Sequence, residues 1–241
     1  MSDLESEVPT STACLAIVAK CPIAGEVKTR LGRTIGDEPA ARLAEAFLRD
    51  SLANAQGMKG VDRSLFYTPT SAARFFRSLD SEALVLAQPE GDLGARLHWL
   101  FDKLFGLGYE RVIAVGADTP HLSTEAMTQA FERLQDAEAL VAPSEDGGYY
   151  GIGLRSSIRR ATRATLFRGI SWGSPQVLAE TLERAERSGI ELASLAPGYD
   201  IDEHADLVRL VRAIRDSCRQ LCPHTARTLT ELGIDLRALE E

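Results

Sequence analysis

Four short segments of the chain carry residue types and spacings that could do chemistry. The first, AKCPIAGEVKTRLGR at residues 19–33, gathers Lys20, Lys28, Arg30 and Arg33 around a single carboxylate, Glu26. Gly25 and Gly32 give its backbone freedom. Cations and exposed N–H groups at a loop-to-helix junction suit the oxygens of a diphosphate; the plainer reading is a solvated basic loop. The second, VGADTP at 115–120, places Asp118 directly after an apolar run and before Thr119 and Pro120, which stop a strand. A carboxylate there could hold Mg²⁺ or Mn²⁺ against phosphate oxygens, or could simply end the strand as an Asx turn. In the third, SEDGGYYGIGL at 144–154, Gly147 and Gly148 let the backbone approach a ligand, and Tyr149 and Tyr150 offer faces and hydroxyls to a polyhydroxylated substrate. An Asp-Gly hairpin turn explains the same residues without a ligand. The fourth, YDIDEHADL at 199–207, alternates Asp200 and Asp202, so that both carboxylates could share one face of an extended stretch and one metal ion. Asp202 could equally be a helix N-cap.

These segments need a scaffold, and the pattern between them supplies one. Short apolar runs (Leu15–Ala19, Ser64–Tyr67, Ala83–Ala87, Arg111–Gly116, Leu140–Pro143, Tyr149–Leu154, Glu191–Leu195) alternate with stretches of helical periodicity. The helices are expected over Pro39–Gln56, from Asp92 as N-cap to Phe105, from Ser123 to Leu134, over Pro175–Arg187, and twice after Asp202. Alternation of this kind predicts an α/β fold, a twisted and mostly parallel sheet between helix layers, in which ligands bind at the carboxyl edge. The first segment follows the first strand and so lies at that edge. No linker, repeat or low-complexity tract divides the chain. Residues 1–12 read as a disordered leader and residues 13–241 as a single domain.

Composition narrows the partners. With 27 basic and 35 acidic residues the formal charge is −8, which disfavours nucleic acid. No apolar run approaches the roughly 20 residues of a membrane helix, and the acidic, polar N-terminus is unlike a signal peptide, so a cytoplasmic location without membrane insertion is expected. Neither G-x-G-x-x-G after a strand nor G-x-x-x-x-G-K-[ST] occurs, which excludes dehydrogenase and P-loop readings. Of the cysteines 14, 21, 218 and 222, the pair Cys218 and Cys222 sits four apart ahead of Pro223 and His224, but the second pair that a zinc site needs is missing, and packing is the expected role.

Taken in series, the segments resemble a bacterial group of GT-A-fold transferases related to molybdenum-cofactor and phospholactate guanylyltransferases, some of them described as arsenosugar-biosynthesis glycosyltransferases. The opening pattern A-K-x-P-x-x-G-x-V-K-T-R-L is matched from Ala19 to Leu31. G-D-L-G-x-R is matched by Gly91, Asp92, Leu93, Gly94 and Arg96, and G-[SA]-D-x-P by Gly116, Ala117, Asp118 and Pro120. D-G-G-Y-Y-x-I-G-L runs from Asp146 to Leu154, with Gly151 where a bulkier apolar residue is usual. L-F-x-x-I-x-W is matched by Leu166, Phe167, Ile170 and Trp172, and the closing element by Asp200, Ile201, Asp202, Asp206 and Leu207. The resemblance covers about residues 13–215. It implies a nucleotide-diphospho-sugar transferase domain, a three-layer αβα fold. It also implies that Lys20, Pro22, Gly25, Lys28 and Arg30 cradle the nucleotide phosphates, with Arg96 near the nucleotide. Asp118 would be the main metal ligand and Asp202 a second, for Mg²⁺ or Mn²⁺. Asp146, Gly147, Gly148, Tyr149 and Trp172 would line the acceptor side, with Asp146 and Lys28 as the catalytic pair.

The resemblance splits between two reactions on a nucleotide or nucleotide-sugar and a small-molecule acceptor. Glycosyl transfer, the first expectation, releases a nucleoside diphosphate, and Asp146 could take the acceptor's proton. Nucleotidyl transfer releases pyrophosphate and needs mainly positioning and charge neutralisation. Gly116 stands where the D-x-D pattern of sugar transferases has its first carboxylate, which weighs against standard sugar transfer. A catalytically silent nucleotide-binding module is the alternative of another class. Base, sugar, acceptor and oligomeric state stay open, a homodimer among the assemblies to expect. All of the enzymatic readings require Asp118 to meet the basic loop in space.

Overall fold

An apolar run such as Cys14–Ala19 has no polar face to give to water, and in the computed structural model it lies inside a sheet, nearly fully buried. The structure describes residues 9–234. In chain order they form β1 (Ala13–Lys20), α1 (Thr29–Ile35), α2 (Asp37–Gln56), β2 (Asp62–Thr68), α3 (Ala73–Leu79), β3 (Leu84–Ala87), α4 (Leu93–Gly106), β4 (Arg111–Gly116), α5 (Thr124–Asp136), β5 (Ala139–Pro143), β6 (Tyr149–Arg155), α6 (Arg160–Phe167), α7 (Val177–Arg187), β7 (Leu192–Ser194), α8 (His204–Ala213) and α9 (Pro223–Glu231). The seven strands form one sheet of order β3-β2-β1-β4-β6-β5-β7. All neighbours run parallel except at β6, which is antiparallel to β4 and to β5.

Side chains of a strand alternate between faces, so each strand feeds two cores. Leu15, Ile17 and Leu65 pack with Leu48 of α2, Phe76 of α3 and Phe131 of α5. Ala16, Phe66 and Val112 pack with Phe101 of α4, Phe167 of α6 and Ala185 of α7 on the opposite face. These are the three expected layers. A third core of Leu31, Phe47, Leu210 and Leu229 binds α1, α2, α8 and α9 to one another. Cys222 is wholly buried in it, in keeping with packing; the Cys218 side chain lies outside the described residues.

The register explains how distant segments meet. Val18 lies opposite Gly116 in the parallel pair β1–β4, so the chain leaves both strands at the same rim. Beyond β5 and β7 a single bridge pairs Ser144 with Gly198, and the Ile201 amide donates to the Asp118 carbonyl at 3.1 Å. Three sequence-distant loops are thereby pinned side by side.

Three helices escape the sequence pattern. α1 lies inside the stretch read as loop: it has no side-chain N-cap and contains Gly32, and it is held by Leu31, fully buried in the third core. α3 and α6 span only seven and eight residues, too few for a periodic signal; tertiary packing of Phe76 and Phe167 stabilises them. Residues 1–8 of the expected leader lie outside the described residues. Farther along it, the Thr10 and Ser11 amides donate to the Asp62 carboxylate at 2.8 and 3.2 Å, which fastens this part to the start of β2. No helix among the described residues is long and apolar enough to cross a membrane.

Candidate active site

The rim shared by β1 and β4 holds a lysine between two aspartates. Lys28 is the only described non-glycine residue with positive φ, at 47°. That left-handed conformation, costly for a lysine, ends the loop after β1, starts α1 and turns the side chain inward. Its Nζ lies 2.7 Å from Asp118 Oδ2 and 2.7 Å from Asp202 Oδ1. The lysine side chain is only 4% exposed, whereas the two carboxylates are 43% and 47% exposed. The ammonium therefore sits behind the pair while the acids face solvent. Burial opposes its charge, but Asp118 and Asp202 outweigh that and hold its pKa above the ordinary lysine value.

The last acidic segment is shaped by its own helix. Asp206 accepts from the Glu203 and Asp202 amides at 2.8 and 3.1 Å, closing the start of α8. Asp202 is thus not the N-cap, and its side chain is available to Lys28. Asp200 accepts a 2.8 Å bond from the Ser144 hydroxyl. Burial raises its pKa, Ser144 partly offsets this, and the charges of Asp202 and Asp146 raise it further. Asp200 thus feels the charge of both neighbouring aspartates. Ser144 carried no signal of its own in the sequence, being an ordinary serine before an acidic turn.

Beside Asp118 and Asp200 opens a cleft of about 240 Å³, with Leu93, Leu97, Tyr149 and Gly151 among its walls. Gly147, at φ 88°, lies so close to Pro175 that a Cβ would run into the Pro175 carbonyl. Its own carbonyl accepts from the Leu178 amide at 3.0 Å. Asp146 Oδ1 accepts from the Gly148 amide at 2.9 Å, folding the acid back on its own turn. Tyr149 meets Trp172 edge-on, ring centroids 6.2 Å apart at 82°. Burial pushes the Tyr149 phenol up, and the Trp172 indole N–H is buried without a partner. Gly94 explains its own position in the G-D-L-G-x-R element: a Cβ there would stand 2.7 Å from Trp172 Nε1.

Other expected phosphate residues have their contacts elsewhere. Lys20 donates to the Glu26 carbonyl at 2.7 Å within its own loop. Arg30, 64% exposed, reaches Glu203 at 3.4 Å. Gly25 adopts φ 78° with its Cα side toward Asp37, and Pro22 lies in the same loop, half-buried. Arg96 donates to Gln88 at 3.2 Å while its Nε is buried without a partner. Gln88 in turn donates to the Phe66 carbonyl at 2.8 Å, a tie across the strand ends that the sequence pattern did not single out.

Two carboxylates that share one cation are close enough to share another, and their all-oxygen chemistry suits Mg²⁺ or Mn²⁺. Among the described residues no group of three or more His, Cys, Asp or Glu could hold a metal. A divalent ion here would therefore complete its shell with phosphate oxygens and water, the usual habit of Mg²⁺.

Residues 51–174 match the family model described as "Uncharacterized protein conserved in bacteria (DUF2064)". The chain belongs to this family. It is also 33% identical over 192 residues to the 2-phospho-L-lactate guanylyltransferase of Methanopyrus kandleri, covering 76% of this chain and 84% of that protein. Among solved structures, a proposed nucleotide-diphospho-sugar transferase from Desulfovibrio desulfuricans G20 superposes with a TM-score of 0.86 at 32% identity, covering 95% of this chain and 98% of that one. The 4-diphosphocytidyl-2C-methyl-D-erythritol synthase of Anaerococcus prevotii has a TM-score of 0.56 at 11% identity over 85% and 97% of the two chains, and shares the fold alone. This DUF2064 protein is a transferase of the nucleotide-diphospho-sugar transferase fold.

Proposed function

We propose that the protein is a nucleotidyltransferase, which joins the nucleotidyl group of a nucleoside triphosphate to an anionic small molecule and releases pyrophosphate. The observation that carries this reading is the ammonium of Lys28 between Asp118 and Asp202 at the carboxyl edge of the sheet. Fixed positive charge beside outward-facing carboxylates is what phosphoryl chemistry asks of a protein, since positioning and charge neutralisation do most of the work. The similarity to a guanylyltransferase favours GTP as the nucleotide.

The guanylyltransferase relative favours nucleotidyl transfer, and Asp146, the base that glycosyl transfer to a hydroxyl would use, has one carboxylate oxygen engaged by its own turn. An acceptor that already carries a phosphate or carboxylate oxyanion needs no base. In the proposed reaction its oxygen attacks the α-phosphorus as the bond to the bridging oxygen breaks, and pyrophosphate leaves with the bonding electrons. Lys28 stabilises the oxygens on which charge grows. Asp118 and Asp202 would hold a divalent ion, which when bound neutralises phosphate charge. The cleft beside Asp118, walled by Leu93 and Leu97, would take the acceptor and exclude water from it, with Tyr149 and Trp172 at its side.

The test is a substrate screen. Pyrophosphate release from GTP or CTP with phosphorylated or carboxylated acceptors is expected. Release of UDP or GDP from sugar nucleotides, without pyrophosphate from any triphosphate, would replace this reading by glycosyl transfer. Asp118→Ala should abolish turnover and metal-dependent nucleotide binding together. Survival of both would remove Asp118 from the metal site.

A further inference from the structure

We infer that Lys28 is a resident counter-cation that closes the Asp118–Asp202 pair to divalent ions until the anionic phosphates of a nucleotide draw its ammonium away, so that metal and nucleotide enter together. The inference depends on the nucleotidyl-transfer reading only for the identity of the anion.

Three observations support it. First, the ammonium already holds one oxygen of each acid at 2.7 Å. A Mg²⁺ or Mn²⁺ ion that used both acids through these oxygens would need them at roughly 2.1 Å and would occupy the volume of Nζ itself. Two cations cannot share that space, and like charges at contact distance repel strongly in a partly dry site. Second, the ammonium is held from within: the side chain is 4% exposed and issues from a left-handed backbone at the end of the loop. The burial that opposes its charge is overcome by Asp118 and Asp202 together, so leaving them requires another anion in exchange. Third, the acids are nearly half exposed on their outer side. A triphosphate arriving from solvent can offer oxygens to the ammonium while its metal takes over the acids. An ammonium has three donors and a flexible stem, and can turn from one set of oxygens to the other.

The consequence is an order of binding. The protein alone takes up divalent metal weakly, and a phosphate chain converts the site to a tight one. Such a device keeps the acids from being occupied by a cation that arrives without substrate.

Mn²⁺ binding to the full-length protein, followed by loss of the free aquo-ion signal in electron paramagnetic resonance, tests this without any turnover. Wild-type protein should bind Mn²⁺ alone weakly, and more tightly once inorganic tripolyphosphate is added, after correction for chelation in solution. Lys28→Met should bind Mn²⁺ alone about tenfold more tightly than wild type, a conservative figure for removing a unit charge at contact distance. Lys28→Gln, which keeps hydrogen-bond donors near both acids, should behave alike and stands in if the methionine variant does not fold. Arg30→Gln removes an exposed charge that is paired with Glu203, and should change Mn²⁺ affinity by less than about threefold. Adding Asp118→Asn to Lys28→Met should cancel the gain. Equal Mn²⁺ affinity in wild type and both Lys28 variants, or a gain no larger than that of Arg30→Gln, would overturn the inference. Tight binding of Mn²⁺ by wild type without tripolyphosphate would do the same. Failure of the nucleotidyl-transfer reading would appear instead as absent pyrophosphate release, and leaves the Mn²⁺ comparison intact.

Discussion

The guanidinium of Arg209 grips the carboxylate of Glu145 through two hydrogen bonds of 2.7 and 3.0 Å. It also lies 3.7 Å over the Tyr199 ring. Glu145 immediately precedes Asp146 and Tyr199 immediately precedes Asp200, so one side chain of α8 spans both acidic loops. Arg209→Ala should let these loops drift and reduce kcat/KM by roughly tenfold, since small displacements of site groups are costly. The melting temperature should barely move, because the pair is half exposed. Lysine cannot reproduce the two-pronged contact, so Arg209→Lys should recover little. Unchanged kcat/KM in both variants would show that the clamp positions nothing.

Gly147 tests the close approach of the third segment to the Pro175 turn. With φ at 88° and the Pro175 carbonyl where a Cβ would stand, Gly147→Ala must shift one backbone segment. A cost of about 1–3 kcal/mol is expected. Urea denaturation reads the loss, and the turn that carries Asp146 should misplace the acceptor side at the same time, lowering activity in the fraction that stays folded.

Asp50 is wholly buried and caps a helix that is not its own. It accepts from the His224 and Thr225 amides at 2.8 Å each and from the Thr225 hydroxyl at 2.6 Å. Asp50→Ala leaves these α9 donors without their acceptor, and should destabilise the fold by about 2–4 kcal/mol. Asp50→Asn keeps one acceptor oxygen and should cost less. A smaller loss for alanine than for asparagine in thermal unfolding would contradict this role.

His121 supplies a pH dependence. Burial, with a further contribution from Arg209, lowers its pKa from 6.5 to about 4; its ring stacks on Tyr199 at 4.3 Å. The folded state thus prefers the neutral imidazole. As pH falls below 6.5 the unfolded chain binds a proton that the folded one refuses, so stability is lost between pH 6.5 and about 4 and the loss then levels off. The size is up to about 3 kcal/mol. His121→Phe keeps the ring and removes the titration, and should flatten this limb of a stability–pH curve measured by denaturant. A curve that keeps the same slope in the variant would assign the acid sensitivity elsewhere.

Sequence by itself determined the sheet's central strands, because Leu15–Ala19 and Val112–Val115 are apolar on both faces and can only be buried. It determined the longer helices through their stripes and caps: Asp92 and Ser123 accept from Ala95 and Ala126 as N-caps should. It also marked the four loops at the carboxyl edge by residue type. It could not determine that Lys28, Asp118 and Asp202 share one contact, since nothing local to any of them encodes the others. That contact arises from the parallel register of β1 with β4 and from the bond between Ile201 and Asp118. Nor could spacing say that Asp200 would turn to Ser144 while Asp202 turned to Lys28. Alternation places two carboxylates on one face, but the partners that each finds there belong to other loops. The short helices α1, α3 and α6 were equally invisible, being held by buried side chains rather than by propensity. Tertiary structure alone decided that the cation between the two acids comes from the protein's own chain.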